Sequence, residues 1–152
     1  MNELKVRETY EFSKISTTVE KSTLTLITGY KEDHKTIFNE ISKHISTINV
    51  VIQQSLTKES IKTIINTYTS IGKIPCIRIL DTDNIEYYNL ILDIIKEINK
   101  PVIILSEIVN VLEQSKPISM RDKVLSSSKS ILIDNIFKYD DCKFTCYKRK
   151  RV

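Results

Sequence analysis

Residues 75–105 read PCIRILDTDNIEYYNLILDIIKEINKPVIIL and alternate between two kinds of apolar pattern. The runs at 75–80 and 101–105 are almost continuously apolar, which is typical of parallel strands that are covered on both faces. Between them, residues 86–99 place isoleucine and leucine at helical spacing, and Pro101 disfavours helix in the residue before it. This order of strand, helix and strand predicts a right-handed βαβ unit.

The same rhythm continues on both sides of this unit. Apolar runs at 23–28 and 48–53 predict two earlier strands, and helical spacing at 35–45 and 58–71 predicts two helices, the second of which ends at Gly72. Two last strands are predicted at 131–137 and 143–148. Because a short turn at 139–141 joins them, they are expected to form an antiparallel hairpin. The sequence therefore predicts an α/β fold with a mostly parallel sheet.

Length and composition fit one domain. The chain has 152 residues, of which 41 % are hydrophobic, and we expect residues 22–152 to share one core. Residues 1–21 are the hardest to interpret and are expected to add an N-terminal arm or an edge strand. No apolar run is long enough to span a membrane, and the charged start is not typical of a signal peptide. A cytoplasmic protein with no membrane partner is therefore expected.

The first predicted strand is followed by Gly-Tyr-Lys-Glu-Asp-His-Lys-Thr at 29–36. This spacing is that of the phosphate-binding loop GxxxxGK[ST], whose backbone N–H groups and lysine hold phosphates. His34 replaces the second glycine, and Glu32 and Asp33 add negative charge to the loop. The alternative explanation is an ordinary strand, turn and helix with a chance Lys-Thr pair.

Six segments in order resemble the RecA-like motor domain of DnaB-type replicative helicases. They are LTLITGYKEDHKT at 24–36, VVIQQSLTKES at 50–60, IRILDTDN at 77–84, EINKPVIILSEIVN at 97–110, KPISMRDKVLSSSKSILIDNIFKY at 116–139 and FTCYKRKRV at 144–152. The resemblance spans residues 22–151 and implies a RecA-like, P-loop-type three-layer sandwich. It is carried by the order and spacing of the segments, since no single segment is specific.

The resemblance also implies a site for ATP and magnesium, in a degenerate form. The cofactor-binding residues would be Gly29, His34, Lys35, Thr36, Asp81 and Glu107, with Thr36 and Asp81 as the magnesium ligands. The family's catalytic glutamate falls at Gln54 or Ser55, neither of which can act as a general base. No catalytic residue is therefore assigned.

Lys148, Arg149, Lys150 and Arg151 close the chain, whose formal net charge is +4. They are candidates for contact with the phosphates of single-stranded DNA. The resemblance implies that the family's arginine finger falls among them, where it would act on a neighbouring subunit. A solvated tail is the third explanation.

These features favour a helicase-like protein with little or no ATP hydrolysis. It would be an accessory factor in replication or recombination that binds a protein partner, such as a helicase, and possesses a candidate DNA contact. One alternative is a weak Mg-ATP-dependent helicase or ATPase that acts only as a homo-oligomer. The other is a structural α/β module without a ligand.

Overall fold

A computed structural model describes residues 4–10, 12–53, 55–79, 85–107, 134–140 and 143–149. Its strands are β1 Leu4–Tyr10, β2 Leu24–Gly29, β3 Thr47–Ile52, β4 Ile74–Ile79, β5 Val102–Glu107, β6 Asn135–Asp140 and β7 Lys143–Arg149. Its α-helices are α1 Phe12–Glu20, α2 His34–Ser42, α3 Lys58–Ser70 and α4 Ile85–Ile98. A 3₁₀ helix, Lys31–Asp33, leads directly into α2.

The strands lie in the order β1-β7-β6-β2-β5-β4-β3. The five strands from β6 to β3 are all parallel, whereas β7 is antiparallel to both of its neighbours. The prediction of an α/β fold with a mostly parallel sheet is therefore confirmed. No helix in the described ranges has the length and apolarity needed to cross a membrane.

The path of the chain decides which face of the sheet each helix covers. From β2 the chain passes to the far strand, β3, and then returns through β4 to β5. Right-handed crossovers that run in opposite directions place their helices on opposite faces. Accordingly α2 packs with α1 on one face, through Ile37 and Ile15, while α3 and α4 pack on the other, through Ile61 and Ile91.

Strand β2 is the centre of both cores. All six of its residues are buried. Because alternate residues of a strand belong to opposite faces, Leu24 and Leu26 contribute to the core under α3 and α4, and Ile27 contributes to the core under α1 and α2. Burial on both faces explains why this strand is an apolar run rather than an alternating one.

Two expectations from the sequence need correction. The predicted turn at 139–141 includes Tyr139 and Asp140, but both lie in β6, where they pair with Phe144 and Lys143 of β7. The reason is aromatic packing, since the buried rings of Tyr139 and Phe144 lie 5.2 Å apart and prolong the strand. Periodicity also missed α1, which buries Ile15 and Val19 in the core.

Polar bonds join β6 to β2 at the amino edge of the parallel strands. Asp134 Oδ2 accepts hydrogen bonds from Thr23 N at 3.1 Å and Leu24 N at 2.9 Å, and it pairs with Lys96 Nζ at 2.9 Å. Partial burial opposes ionisation of Asp134, but the bond from Lys96 and the backbone donors outweigh it, so its pKa lies below the usual value. Asp134 is thus ionised where it ties α4, β2 and β6 together.

We predict that Asp134→Asn makes stability less dependent on acid pH. A carboxyl whose folded pKa is depressed stabilises the fold above its unfolded pKa of about 3.9, and this contribution is lost as pH falls through the folded value. Urea unfolding from neutral pH downward should therefore show a smaller loss for the variant than for the wild type below about pH 4. Parallel pH curves for the two proteins would contradict this role.

Candidate functional site

The carboxyl edge of the parallel strands brings some of the predicted nucleotide-site residues together. Gly29 at the end of β2 lies opposite Glu107 at the end of β5. Strand β4 lies on the other side of β5, so the strand that leads to Asp81 is one strand removed from β2. Asp81 itself lies outside the described residues. Ligands of open α/β sheets bind at this kind of edge.

The loop after β2 is closed by its own hydrogen bonds. Tyr30 is extended, and the following 3₁₀ turn is held by Asp33 N, which donates to Tyr30 O at 2.8 Å. The next amide, His34 N, donates to Lys31 O. A phosphate-binding loop directs several successive backbone N–H groups at the ligand. In this loop two of those groups already have intramolecular acceptors.

His34 is buried and contacts the ends of two strands. It is the first residue of α2, is 5 % exposed, and places Nε2 3.1 Å from Gly29 O and 3.2 Å from Ser106 O. Both partners are carbonyl oxygens, which only accept, so Nε2 carries the proton and donates to both. The imidazole therefore links the carboxyl ends of β2 and β5 and anchors the start of α2 to them.

The neighbours of His34 have different surroundings. Lys35 and Thr36 are exposed on the first turn of α2. Gly29 is close to the same helix, because a Cβ atom there would lie 2.7 Å from Ile37 Cδ1 and force that side chain to move. Helix α2 therefore packs closely on the end of β2 at this glycine.

A tyrosine holds the segment where the resemblance implies the catalytic glutamate. Tyr87 in α4 donates from its hydroxyl to Gln53 O at 2.6 Å, and Leu56 O is 3.4 Å away. Burial raises the pKa of this tyrosine. Ser55 is exposed in the turn between those two carbonyls, and Gln54 lies outside the described residues. Sequence pattern did not predict this contact, since it joins residues more than thirty positions apart.

The described part of the basic end, Lys148 and Arg149, lies at the opposite end of the parallel strands from Gly29. Because β7 runs antiparallel to β6, Lys148 and Arg149 are near the amino ends of the parallel strands, far from Gly29. In the ladder Lys148 is opposite Lys5 and Arg149 is opposite Leu4. Lys150 and Arg151 lie outside the described residues.

The described residues show no metal centre. They contain no group of three His, Cys, Asp or Glu side chains placed to hold an ion. Thr36, a predicted magnesium ligand, is exposed, and the other, Asp81, is not described. Cys76 is buried, and burial raises its pKa to about 12, so its thiol is a core group rather than a nucleophile.

Comparison of the chain with protein-family models and with curated proteins finds no match. A buried imidazole that donates to two strand-end carbonyls is a structural link. The loop that precedes it is closed by its own hydrogen bonds. Lys35 and Thr36 are exposed on the first turn of α2.

We predict that His34→Ala destabilises the fold by roughly 1–3 kcal/mol, because two carbonyl oxygens at the ends of buried strands lose their donor. The matched control is His44→Ala, which removes the chain's other histidine from an exposed position just after α2. That change should stay within about 0.5 kcal/mol of the wild type. Chemical denaturation measures both, and equal effects would show that His34 makes no special contribution.

Proposed function

We propose that this chain is a RecA-type α/β domain, related to the motors of DnaB-type helicases, that no longer hydrolyses ATP. It acts as an accessory factor in DNA replication or recombination. It binds a protein partner, such as a helicase, and DNA, and it does not catalyse a reaction.

The placement of the motif segments supports this proposal. The strand of the loop segment, β2, pairs with the strand of the Pro-Val-Ile-Ile-Leu segment, β5, which pairs in turn with the strand before Asp81. Their carboxyl ends meet at one edge, and helices cover both faces of the sheet. Segments far apart in sequence are therefore neighbours at the strand ends, where open α/β sheets bind nucleotides.

The position of His34 is the observation that carries the loss of hydrolysis. Its imidazole is buried and bonds to Gly29 O and Ser106 O, while the amides of Asp33 and His34 close a 3₁₀ turn. A triphosphate could use the amides of Asp33 and His34 only after their bonds to Tyr30 O and Lys31 O break, and it would then face two carboxylates in the same loop. The described residues do not fit a phosphate cradle, and no reaction step is assigned to ATP or magnesium.

The missing general base supports the same conclusion. Ser55 is an exposed hydroxyl, and Gln54 is an amide by sequence, so neither position can take a proton from an attacking water. Loss of a positioned general base costs about 10² to 10⁴ in rate. An intact phosphate loop alone would thus leave a slow enzyme.

We predict that the purified chain does not turn over ATP, with or without single-stranded DNA. Its rate should stay far below about 1 s⁻¹, which is ordinary for enzymes. A coupled phosphate-release assay over a wide range of protein concentration tests this, and calorimetry with ATP and magnesium separates binding from hydrolysis.

Two lysine variants test whether any ATP hydrolysis that is measured takes place at this loop. Lys35→Ala removes the motif lysine. Lys43→Ala removes an exposed lysine that lies just after the same helix and pairs with Glu40. Turnover near 1 s⁻¹ that is lost in the first variant and kept in the second would overturn the proposal in favour of the oligomeric ATPase. Heat of ATP binding without turnover would leave a nucleotide-binding accessory domain.

The DNA contact has its own prediction. Replacing Lys148, Arg149, Lys150 and Arg151 with alanine should weaken binding to a labelled single-stranded oligonucleotide. Each neutralised phosphate contributes about −0.7 to the slope of log K against log salt, so the slope should flatten by roughly two to three. The control replaces Lys21, Lys43, Lys58 and Lys100, which are exposed elsewhere and remove the same charge.

The slope distinguishes the three explanations of the basic end. A flattened slope in the first variant alone supports the DNA contact. Equal flattening in both variants shows a general charge effect. If assembly or nucleotide affinity changes while the DNA slope does not, the basic end acts across a subunit contact, and no change of any kind leaves a solvated tail.

A further inference from the structure

Strand β3 has an unpaired edge in the part of the chain that the structure describes. It is the last strand of the sheet, and its pairing with β4 runs without a bulge from Thr47 opposite Ile74 to Ile52 opposite Ile79. Its other edge therefore presents a regular row of backbone donors and acceptors. Such a row is a template for another strand.

This edge lacks the devices that usually prevent strand addition. Lysine and other charged residues, proline and bulges protect natural edge strands. Residues 47–53 read TINVVIQ, with no charge and no proline, in a chain of which 28 % is charged. An uncharged strand also meets no repulsion from an identical strand.

Strand β3 also carries an exposed apolar side chain, Val51. Val51 is 44 % exposed and Ile71 is 65 % exposed, and they are the large apolar side chains that the described residues leave exposed. Val51 is in β3, and Ile71 precedes β4, the neighbour of β3. Val50 and Ile52 point into the core on the opposite face, so Val51 is not needed for the fold of one copy.

We propose that a second copy of this chain pairs with β3 through an antiparallel β3–β3 ladder centred on Val51. A twofold axis perpendicular to the sheet keeps each face continuous, and directly opposite residues then share a face. In this register Val51 lies opposite its own copy, and Asn49 lies opposite Gln53, both of them exposed in one chain. Apolar surface meets apolar surface, and amide meets amide.

A register centred on Val50 is less favourable. It places Val51 opposite Asn49, so an exposed apolar side chain would face an amide.

The homodimer is independent of the proposed binding function, because it involves the free edge of β3 rather than the carboxyl ends of the parallel strands or β7. Its failure would leave the proposed function untouched.

Sedimentation of the full chain over a range of concentrations tests the dimer. We expect the wild type to dimerise and Val51→Lys to be monomeric, because two lysines would meet at the axis and lysine blocks edge pairing. Ile71→Lys is the matched control, since it changes the other exposed apolar residue in the same way but lies outside the strand. A monomeric wild type, or a dimer that survives in Val51→Lys, would overturn the proposal.

A disulfide tests the register. In a background of Cys142→Ser and Cys146→Ser, with Cys76 buried, Val51→Cys should form a cross-linked dimer on mild oxidation. Directly opposite Cα atoms lie about 4.5–5.5 Å apart, which a disulfide can bridge. Asn49→Cys should not cross-link, because its two copies are offset by four residues, roughly 14 Å. Cross-linking at position 49, or at neither position, would contradict this ladder, and circular dichroism confirms that each variant is folded.

Discussion

The burial of β2 on both faces is the constraint on which the rest of the structure depends. Its residues supply the cores under both helix pairs, and β5 and β6 flank it on either side. A strand in that position has no edge or face open to water, so its backbone groups must all find partners within the protein. What happens at its two ends therefore determines how the surrounding elements are arranged.

The two ends of β2 are held by different chemistry. At the amino end the ionised Asp134 carboxylate accepts from two backbone amides and from Lys96. At the carboxyl end the His34 imidazole donates to Gly29 O and to Ser106 O on β5. Asp134 is an acceptor at the end where backbone amides need a partner, and His34 is a donor at the end where backbone carbonyls need one. Each side chain thus provides the group that the backbone lacks there.

His34 stabilises the fold at the position where the phosphate-loop pattern has a glycine. The residue that departs from the phosphate-loop pattern is also the residue that stabilises the loop's closed conformation. A glycine at position 34 would remove the donor to two strand-end carbonyls, so restoring the motif would carry a cost in stability. Under the proposed function, stability and nucleotide binding would compete at this position, and the histidine present favours stability. That residue fits the proposed accessory role, in which the protein binds partners without hydrolysing ATP.

The sequence alone determined the alternation of strands and helices from β2 to β5, because burial on both faces requires apolar runs and helical stripes that are visible as local periodicity. It also determined the end of α3, since Gly72 adopts the positive φ that glycine tolerates best. It did not predict α1 or the extent of β6, where long-range contacts of Ile15, Val19 and Tyr139 outweigh weak local patterns.

Only the tertiary structure decided what the candidate site residues do. The loop pattern at 29–36 is the same whether His34 faces a ligand or the core, and its role became clear only when Ser106, seventy-two residues away, was placed beside it. Likewise, the basic residues of β7 lie at the opposite end of the parallel strands from the loop, because β7 pairs antiparallel with β6. Strand direction is set by pairing and not by local sequence. Contacts between distant segments carry no local signal, and for that reason the chemistry of this edge could not be derived from periodicity.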